Sequence, residues 1–224
     1  MKSDVPAAKP TVKKIIDAAT RLFATKGFAA VSVKEIADTA DVNVALISYY
    51  FGGKENLYVY LLEQQFVAVE EFIANLEQEK IGPVEKITRF ALSMLAMKGK
   101  SPFAERLILR EIVDPTECFE TVAKKKIVRL HYFIRDCLRE AVALGHFRPD
   151  LDPDYAAVTL SSAVRLHIFT QRYLGDILPE RPDQAEYYAR QALEIFLRGA
   201  CSSRQIPNTC TDQGGKASGC QIPK

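Results

Sequence analysis

The stretch that decides the fold is Ser32–Leu57, which reads SVKEIADTADVNVALISYYFGGKENL. Apolar residues recur at helical spacing in its first part, and they are Val33, Ile36, Ala37 and Ala40. A tight break over residues 41–43 separates this short helix from another over about Val44–Phe51. Gly52-Gly53 ends the second of these helices, and a long helix begins near Lys54.

Two polar residues in this stretch have the spacing of helix caps. Ser32 followed by Glu35 predicts a capping box, in which the Ser32 hydroxyl accepts from the amide of Glu35 and the Glu35 carboxylate reaches back. Asn43 is suited to cap the helix that follows it. Both helix starts are therefore specified by short-range sequence.

One more helix precedes this pair. Ile15, Ala19, Leu22 and Phe23 fall on one helical face, and Gly27 stops the helix. Three short helices with a tight turn between the second and third predict a helix-turn-helix. Residues 1–34 hold seven basic and two acidic side chains, whereas the whole chain of 224 residues has a net charge of +2. This basic patch favours contact with DNA phosphates, although the same lysines could merely solvate a helix face.

The rest of the chain is helical in pattern as well. Further helices are predicted over about 84–98, 102–113, 116–144, 153–174 and 184–198, so the fold class is all-α with about nine helices. We divide the chain into a helix-turn-helix domain over 1–53, a helical effector-binding and dimerisation domain over 54–200, and a tail over 201–224. The tail is poor in apolar residues and predicted to be disordered.

Composition excludes several classes of protein. No apolar run reaches the length of a membrane helix, and residues 1–10 lack the apolar core of a signal peptide, so we expect a cytoplasmic protein. No phosphate-binding, dinucleotide-binding, serine-hydrolase or zinc-protease motif occurs, so we predict no enzyme activity and no cofactor. The three histidines have no zinc-like spacing, so no metal site is predicted. Five cysteines, an odd number, argue against a disulfide framework.

The segments Ala18–Phe23, Lys26–Phe28, Ser32–Ala37 and Ile47–Leu57 together resemble the amino-terminal domain of TetR-type transcriptional regulators. The resemblance covers about 50 residues in order and spacing. Glu105–Glu111, which reads ERLILRE, resembles the CecR-like branch of that family. The resemblance implies a dimeric regulator that binds double-stranded DNA, with a small-molecule effector in its carboxyl-terminal domain.

The resemblance also implies roles for individual residues. Ser32 and Asn43 would each lie beside a phosphate, Lys34 would face the DNA, and Lys54 would bind another phosphate. Val44, Ala45 and Ser48 would face the base edges, and the hydroxyls of Tyr49 and Tyr50 would lie near the backbone, or their rings would simply pack. Because no Arg or Gln stands among the base-facing residues, thymine methyl contacts and DNA shape would carry more of the specificity.

Residues in the second domain are candidates for two further roles. Small side chains along 156–163 allow close helix approach and predict a dimer interface, although an internal core is the alternative; its residues would be Leu160, Val164, Ile168, Ala192, Ile195 and Phe196. Polar candidates for the effector pocket are Arg106, Arg110, His131, Arg135, Arg165 and His167. Salt bridges with nearby carboxylates are the alternative role for each of these side chains.

We therefore predict a ligand-responsive transcriptional repressor that a small molecule releases from a palindromic operator. Two alternatives stay open. One is a helical interaction or adaptor protein whose helix-turn-helix binds protein, and the other is a regulator that senses thiol oxidation.

Overall fold

The computed structural model describes residues 9–96, 102–174, 177–179 and 181–201, without the side chains of residues 95, 96, 102, 104, 105, 164–174 and 185. These ranges contain nine α-helices: α1 Pro10–Lys26, α2 Val33–Ala40, α3 Ala45–Phe51, α4 Lys54–Gln78, α5 Pro83–Ala96, α6 Pro102–Val113, α7 Lys124–Ala143, α8 Pro153–Leu174 and α9 Gln184–Ala200. A π-helical turn, Phe119–Ala123, leads directly into α7. No strand occurs in these ranges, only an isolated antiparallel bridge between Phe147 and Cys201. The predicted all-α fold is confirmed.

The first hydrophobic core joins the three short helices to the start of α4. Ile15 and Phe23 of α1 pack with Ile36 of α2 and Ile47 of α3, all fully buried. The same core takes four side chains from the first half of α4, namely Leu57, Tyr58, Leu61 and Leu62, and two from further along the chain, Leu107 of α6 and Val122 of the π-helical turn. The helix-turn-helix is thus packed on α6 as well as on its own helices.

The second core lies between α5, α7, α8 and α9. Ile87 and Phe90 of α5 pack against Phe133 and Leu138 of α7, and the Phe90 and Phe133 rings lie 5.5 Å apart. The second half of α4 contributes Val69, Ile73 and Leu76 to this core.

Helix α4 is therefore shared between the two cores. Its first half is buried with the helix-turn-helix, and its second half is buried in the helical body. A straight helix of 25 residues is about 37 Å long at 1.5 Å per residue. One helix therefore has its two halves anchored in two different cores.

The turn between α2 and α3 depends on one residue in an uncommon conformation. Asp41 caps the end of α2 with φ +53, the only positive φ of a non-glycine residue among those described. Aspartate tolerates this left-handed conformation better than most residues do. The Lys14 ammonium lies 3.6 Å from its carboxylate, which ties the turn to α1. The turn thus accommodates an aspartate in a conformation that is most common for glycine.

Candidate nucleic-acid interface and effector site

The amino terminus of α2 has one of the two hydrogen bonds of the predicted capping box. The Ser32 hydroxyl accepts a hydrogen bond from the Glu35 amide at 3.1 Å. The Glu35 carboxylate does not complete the capping box, because it accepts from the ammonium of Lys26 at the end of α1. This hydrogen bond lowers the pKa of Glu35. The expected reciprocal bond of Glu35 is therefore wrong, and the carboxylate joins α1 to α2.

The start of α3 presents a short exposed face. The side-chain oxygen of Asn43 accepts from the Ala45 amide at 2.9 Å, which fixes the first turn. Val44, Ala45 and Ser48 are exposed, whereas Ile47 and Phe51 are buried beneath them. The Phe51 ring also packs edge-on against Tyr60 of α4 at 5.4 Å. The face is thus held rigidly on the first core, with the three predicted base-reading residues side by side.

The two tyrosines of α3 differ in exposure. Tyr49 is 77% exposed, and its ring lies edge-on to that of the half-buried Tyr50 at 5.0 Å. The ammonium of Lys9, just before α1, lies 5.8 Å from the centre of the Tyr50 ring. The end of α3 and the start of α1 therefore lie on the same side of the domain, as a joint DNA-facing surface requires.

The two lysines predicted to meet phosphates have different surroundings. Lys34 is exposed on α2. The Lys54 ammonium donates instead to the carbonyls of Phe28 and Val31, at 3.1 and 3.0 Å, and lies 4.3 Å from the centre of the Phe28 ring. Lys54 thus holds the loop between α1 and α2, and one of its three N–H groups remains for a phosphate.

Arg110 of α6 contacts the end of α1. Its guanidinium donates to the carbonyls of Thr25 and Lys26 at the end of α1, at 3.5 and 3.3 Å. Gly27 makes room for it, because a Cβ at Gly27 would lie 2.7 Å from the nearest guanidinium nitrogen. A cation at these unpaired carbonyls is favoured by the helix dipole. Arg110 thus joins α6 to α1, and its assignment to the effector site stays a prediction.

A buried carboxylate reinforces this junction. Glu111, 1% exposed, accepts from the Tyr58 hydroxyl of α4 and from the Thr116 hydroxyl at 3.1 Å. Burial and this carboxylate raise the pKa of Tyr58 well above its ordinary value. Nothing in the sequence indicates this pairing of Glu111 with Tyr58. The bonds of Arg110 and Glu111 together connect α6 to both α1 and α4.

The helical body contains a small apolar cavity. Its lining comes from three helices and consists of Phe90, Ala91, Met94, Leu130, Ile134, Leu160 and Ser161. Its volume of about 10 Å³ is room for roughly one water molecule. Because Leu160 lines it and is 1% exposed, the prediction that this residue lies at a dimer interface is wrong. No sequence signal distinguishes these lining residues from ordinary core residues.

The other polar candidates for the pocket lie elsewhere or outside the described side chains. The His131 ring lies 3.7 Å from the Asp154 carboxylate, and Arg135 pairs with Asp136 at 2.7 Å, so both half-buried side chains have a carboxylate beside them. The hydrogen bonds that the Arg135 guanidinium donates to the Asp136 carboxylate are the main reason that the pKa of Arg135 is raised. Arg106 is exposed. The side chains of Arg165 and His167 lie outside the description, so these two remain predictions.

The residues predicted for the dimer interface differ in exposure, and some of their side chains lie outside the description. Ile195 is 71% exposed on α9, Ala192 is half-buried, and Phe196 packs partly on the second core. The side chains of Val164 and Ile168 are outside the description. The exposed apolar residues of α8 and α9 that the sequence did not single out are Tyr155, Val158 and Tyr187.

A capped helix-turn-helix with an exposed third helix, packed on a larger helical body, defines a DNA-binding transcriptional regulator. Two family models match in succession. The first, "Bacterial regulatory proteins, tetR family", matches residues 15–61, and the second, "HTH-type transcriptional dual regulator CecR, C-terminal domain", matches residues 83–199. The chain belongs to the TetR family of ligand-responsive, DNA-binding transcriptional regulators. The predicted family, including its CecR-like branch, is confirmed.

Individual relatives agree with this assignment. The chain is 45% identical over 195 residues to the HTH-type transcriptional regulator YvkB of Bacillus subtilis, which covers 85% of this chain and 97% of that protein. The structure of the ketosteroid transcriptional regulator KstR2 of Mycobacterium tuberculosis has a TM-score of 0.68 at 20% identity, over 85% of this chain and 95% of that one. SmeT, the repressor of a Stenotrophomonas maltophilia efflux pump, has a TM-score of 0.67 at 16% identity, over 91% and 98%. The last two show the fold alone.

The family consists of DNA-binding regulators and not of enzymes, and its members act as dimers that bind small-molecule effectors. Within the described ranges, no helix is both long and apolar enough to cross a bilayer.

Proposed function

We propose that this chain is a repressor that binds a palindromic operator as a homodimer and releases it when a small, largely apolar molecule binds in the helical body. The position of the apolar cavity between α5, α7 and α8 supports this proposal most directly. These helices form the core that also holds the second half of α4. An effector in this cavity would therefore act on the same helix that supports α3.

The small volume of the cavity constrains how an effector would bind. Binding sites for small molecules typically have volumes of about 300–1,000 Å³, far more than the cavity holds. An effector must consequently push α5, α7 and α8 apart. The end of α4 connects directly to α5 through residues 79–82, so this expansion displaces α4 and, with it, the helix-turn-helix.

The homodimer would form through the outer faces of α8 and α9. These helices pack side by side, and Tyr155 and Val158 of α8 and Ile195 of α9 are exposed on their outward sides. Thr159 and Ser162, also exposed on α8, are small enough to allow close approach of a second copy. A two-fold axis through this surface would place the two α3 helices at matching half-sites.

Both alternative functions are less well supported. Membership in a DNA-binding family disfavours an adaptor protein. Thiol sensing is disfavoured for Cys118 and Cys137, because burial raises the pKa of both thiols, that of Cys137 to about 11, and the reactive form is the thiolate.

Selection of bound sequences from random duplex DNA by the purified full chain tests the proposal. Enrichment of a site with inverted symmetry supports a repressor dimer with two reading helices. Enrichment of sites without inverted symmetry, or no enrichment, would contradict it. The sign of regulation follows from a reporter gene placed behind the selected site, whose expression should fall when the chain is produced.

A further inference from the structure

The reading helix has no side chain of the kind that forms paired hydrogen bonds with a base. Residues 44–51 read Val-Ala-Leu-Ile-Ser-Tyr-Tyr-Phe, whereas guanine is typically read by Arg or Lys and adenine by Asn or Gln. The nearest amide side chain, Asn43, uses its oxygen to cap the Ala45 amide. Hydrogen-bond readout by α3 is thus limited to the hydroxyls of Ser48 and the two tyrosines.

Two apolar side chains stand at the exposed start of this helix instead. Val44 is 48% exposed and Ala45 beside it is exposed, although both lie on a rigid element. Buried Ile47 and Phe51 fix the helix from below, and the Asn43 cap fixes its first turn. In the major groove, the 5-methyl group of thymine is the apolar group that a base edge offers. The exposed methyl groups of Val44 and Ala45 are complementary to it.

We propose that Val44 and Ala45 are specificity-determining residues that read thymine through its 5-methyl group. The proposal rests on the proposed function, because it requires α3 to enter the major groove. It differs from readout of DNA shape, which needs no contact with a particular base atom. The two are separated by replacing thymine with deoxyuridine, which removes the methyl group and keeps every hydrogen-bonding group of the base.

The experiment uses the operator duplex that the full chain selects from random DNA. Each thymine is replaced in turn by deoxyuridine, at equivalent positions of both half-sites, and affinity is measured at fixed salt. Burial of one methyl group is worth about fourfold in affinity, so a contacted pair of thymines should lose roughly 15-fold. We expect this loss at one or two positions of each half-site and no comparable loss at the others.

A pair of variants shows whether Val44 is responsible. Val44→Ala removes two methyl groups, so the deoxyuridine penalty at the position facing Val44 should fall to about twofold or less. Lys34→Ala is the control, because loss of a phosphate contact weakens binding to both duplexes alike and leaves the penalty unchanged. If Val44→Ala acted only by disturbing the structure, it would weaken binding to both duplexes and leave the deoxyuridine penalty unchanged, as Lys34→Ala does.

Each failure has a distinct meaning. Suppose that a symmetric site is bound specifically, but that every deoxyuridine substitution is neutral or that Val44→Ala keeps the full penalty. Methyl readout by Val44 is then overturned, and the proposed function as a DNA-binding regulator is unaffected. If no specific site is selected at all, the proposed function and the readout proposal are both overturned.

Discussion

Among single residues, Lys54 has the most unusual position. Its ammonium donates to two backbone carbonyls of the loop between α1 and α2 and lies over the Phe28 ring, although the residue opens the helix that follows the DNA-reading unit. A lysine that satisfies two carbonyls at a partly buried site contributes to stability, in addition to any contact with a phosphate. We therefore expect this one side chain to contribute both to stability and to DNA affinity.

Lys54→Met should lower the free energy of unfolding by about 1–3 kcal/mol, because two carbonyls lose their donor. It should also weaken binding to all DNA sequences alike, since a phosphate contact carries no base information. Urea unfolding and affinities for operator and random DNA measure the two effects. Lys34→Met, on the exposed face of α2, is the matched control and should change stability by less than about 0.5 kcal/mol. Wild-type stability of Lys54→Met would show that the carbonyl contacts are unimportant.

At the scale of elements, α4 and α6 are joined by a buried hydrogen bond. The Tyr58 hydroxyl donates to the Glu111 carboxylate, and the ring packs edge-on against Phe23 of α1 at 4.9 Å. Because the folded state raises the pKa of Tyr58, the contribution of this tyrosine is complete below pH 10, the ordinary value. Above pH 10 the unfolded chain loses the proton first, so the contribution decreases as pH rises.

Tyr58→Phe should therefore cost about 1–3 kcal/mol at pH 7, because the buried carboxylate loses one of its hydrogen-bond donors. Above pH 10 the wild type should lose stability more steeply than this variant, by up to about 1.4 kcal/mol per pH unit. Chemical unfolding at a series of pH values measures the difference. Tyr155→Phe, at an exposed tyrosine, should keep the wild-type slope. Parallel curves for wild type and Tyr58→Phe would contradict the assigned hydrogen bond.

The elements could be predicted from the sequence because their signals are local. Apolar spacing, the Ser32 and Asn43 caps and the glycine stops depend only on neighbouring residues. The helices form close to where these signals place them, except that the helix predicted over 116–144 becomes α-helical only at Lys124, after the π-helical turn. The contacts of Glu35 and Arg110 could not be predicted, because their partners come from other helices and depend on tertiary packing. Leu160 was assigned to a dimer surface because a helical pattern does not say which neighbour covers a face.

For the whole molecule, we expect the outer face of α8 and α9 to form the dimer that brings two reading helices together. Ile195→Lys should yield a monomer that folds normally and loses specific DNA binding, because a lysine in an apolar interface is buried without a partner. Light scattering gives the mass. Leu144→Lys, at an exposed leucine on the far end of α7, is the control and should remain dimeric. A folded, dimeric Ile195→Lys would exclude this face, whereas a charge at buried Leu160 would unfold the body instead.

Helix α4 belongs to both cores. We therefore expect a small molecule bound in the helical body to control the affinity for DNA. A ligand can shift an equilibrium only by its differential affinity for the two states. Coupling of about 1–3 kcal/mol corresponds to roughly 5- to 150-fold weaker operator binding, and linkage requires operator to weaken ligand binding by the same factor. A ligand is found by screening small apolar molecules for an increase in melting temperature.

The direct measurement is calorimetric titration of that ligand into the full chain, alone and saturated with the selected operator. We expect bound operator to lower the affinity for the ligand roughly 5- to 150-fold. The ligand should lower the affinity for operator by the same factor. Equal ligand affinities with and without operator, for a ligand that binds tightly in the cavity, would contradict this expectation.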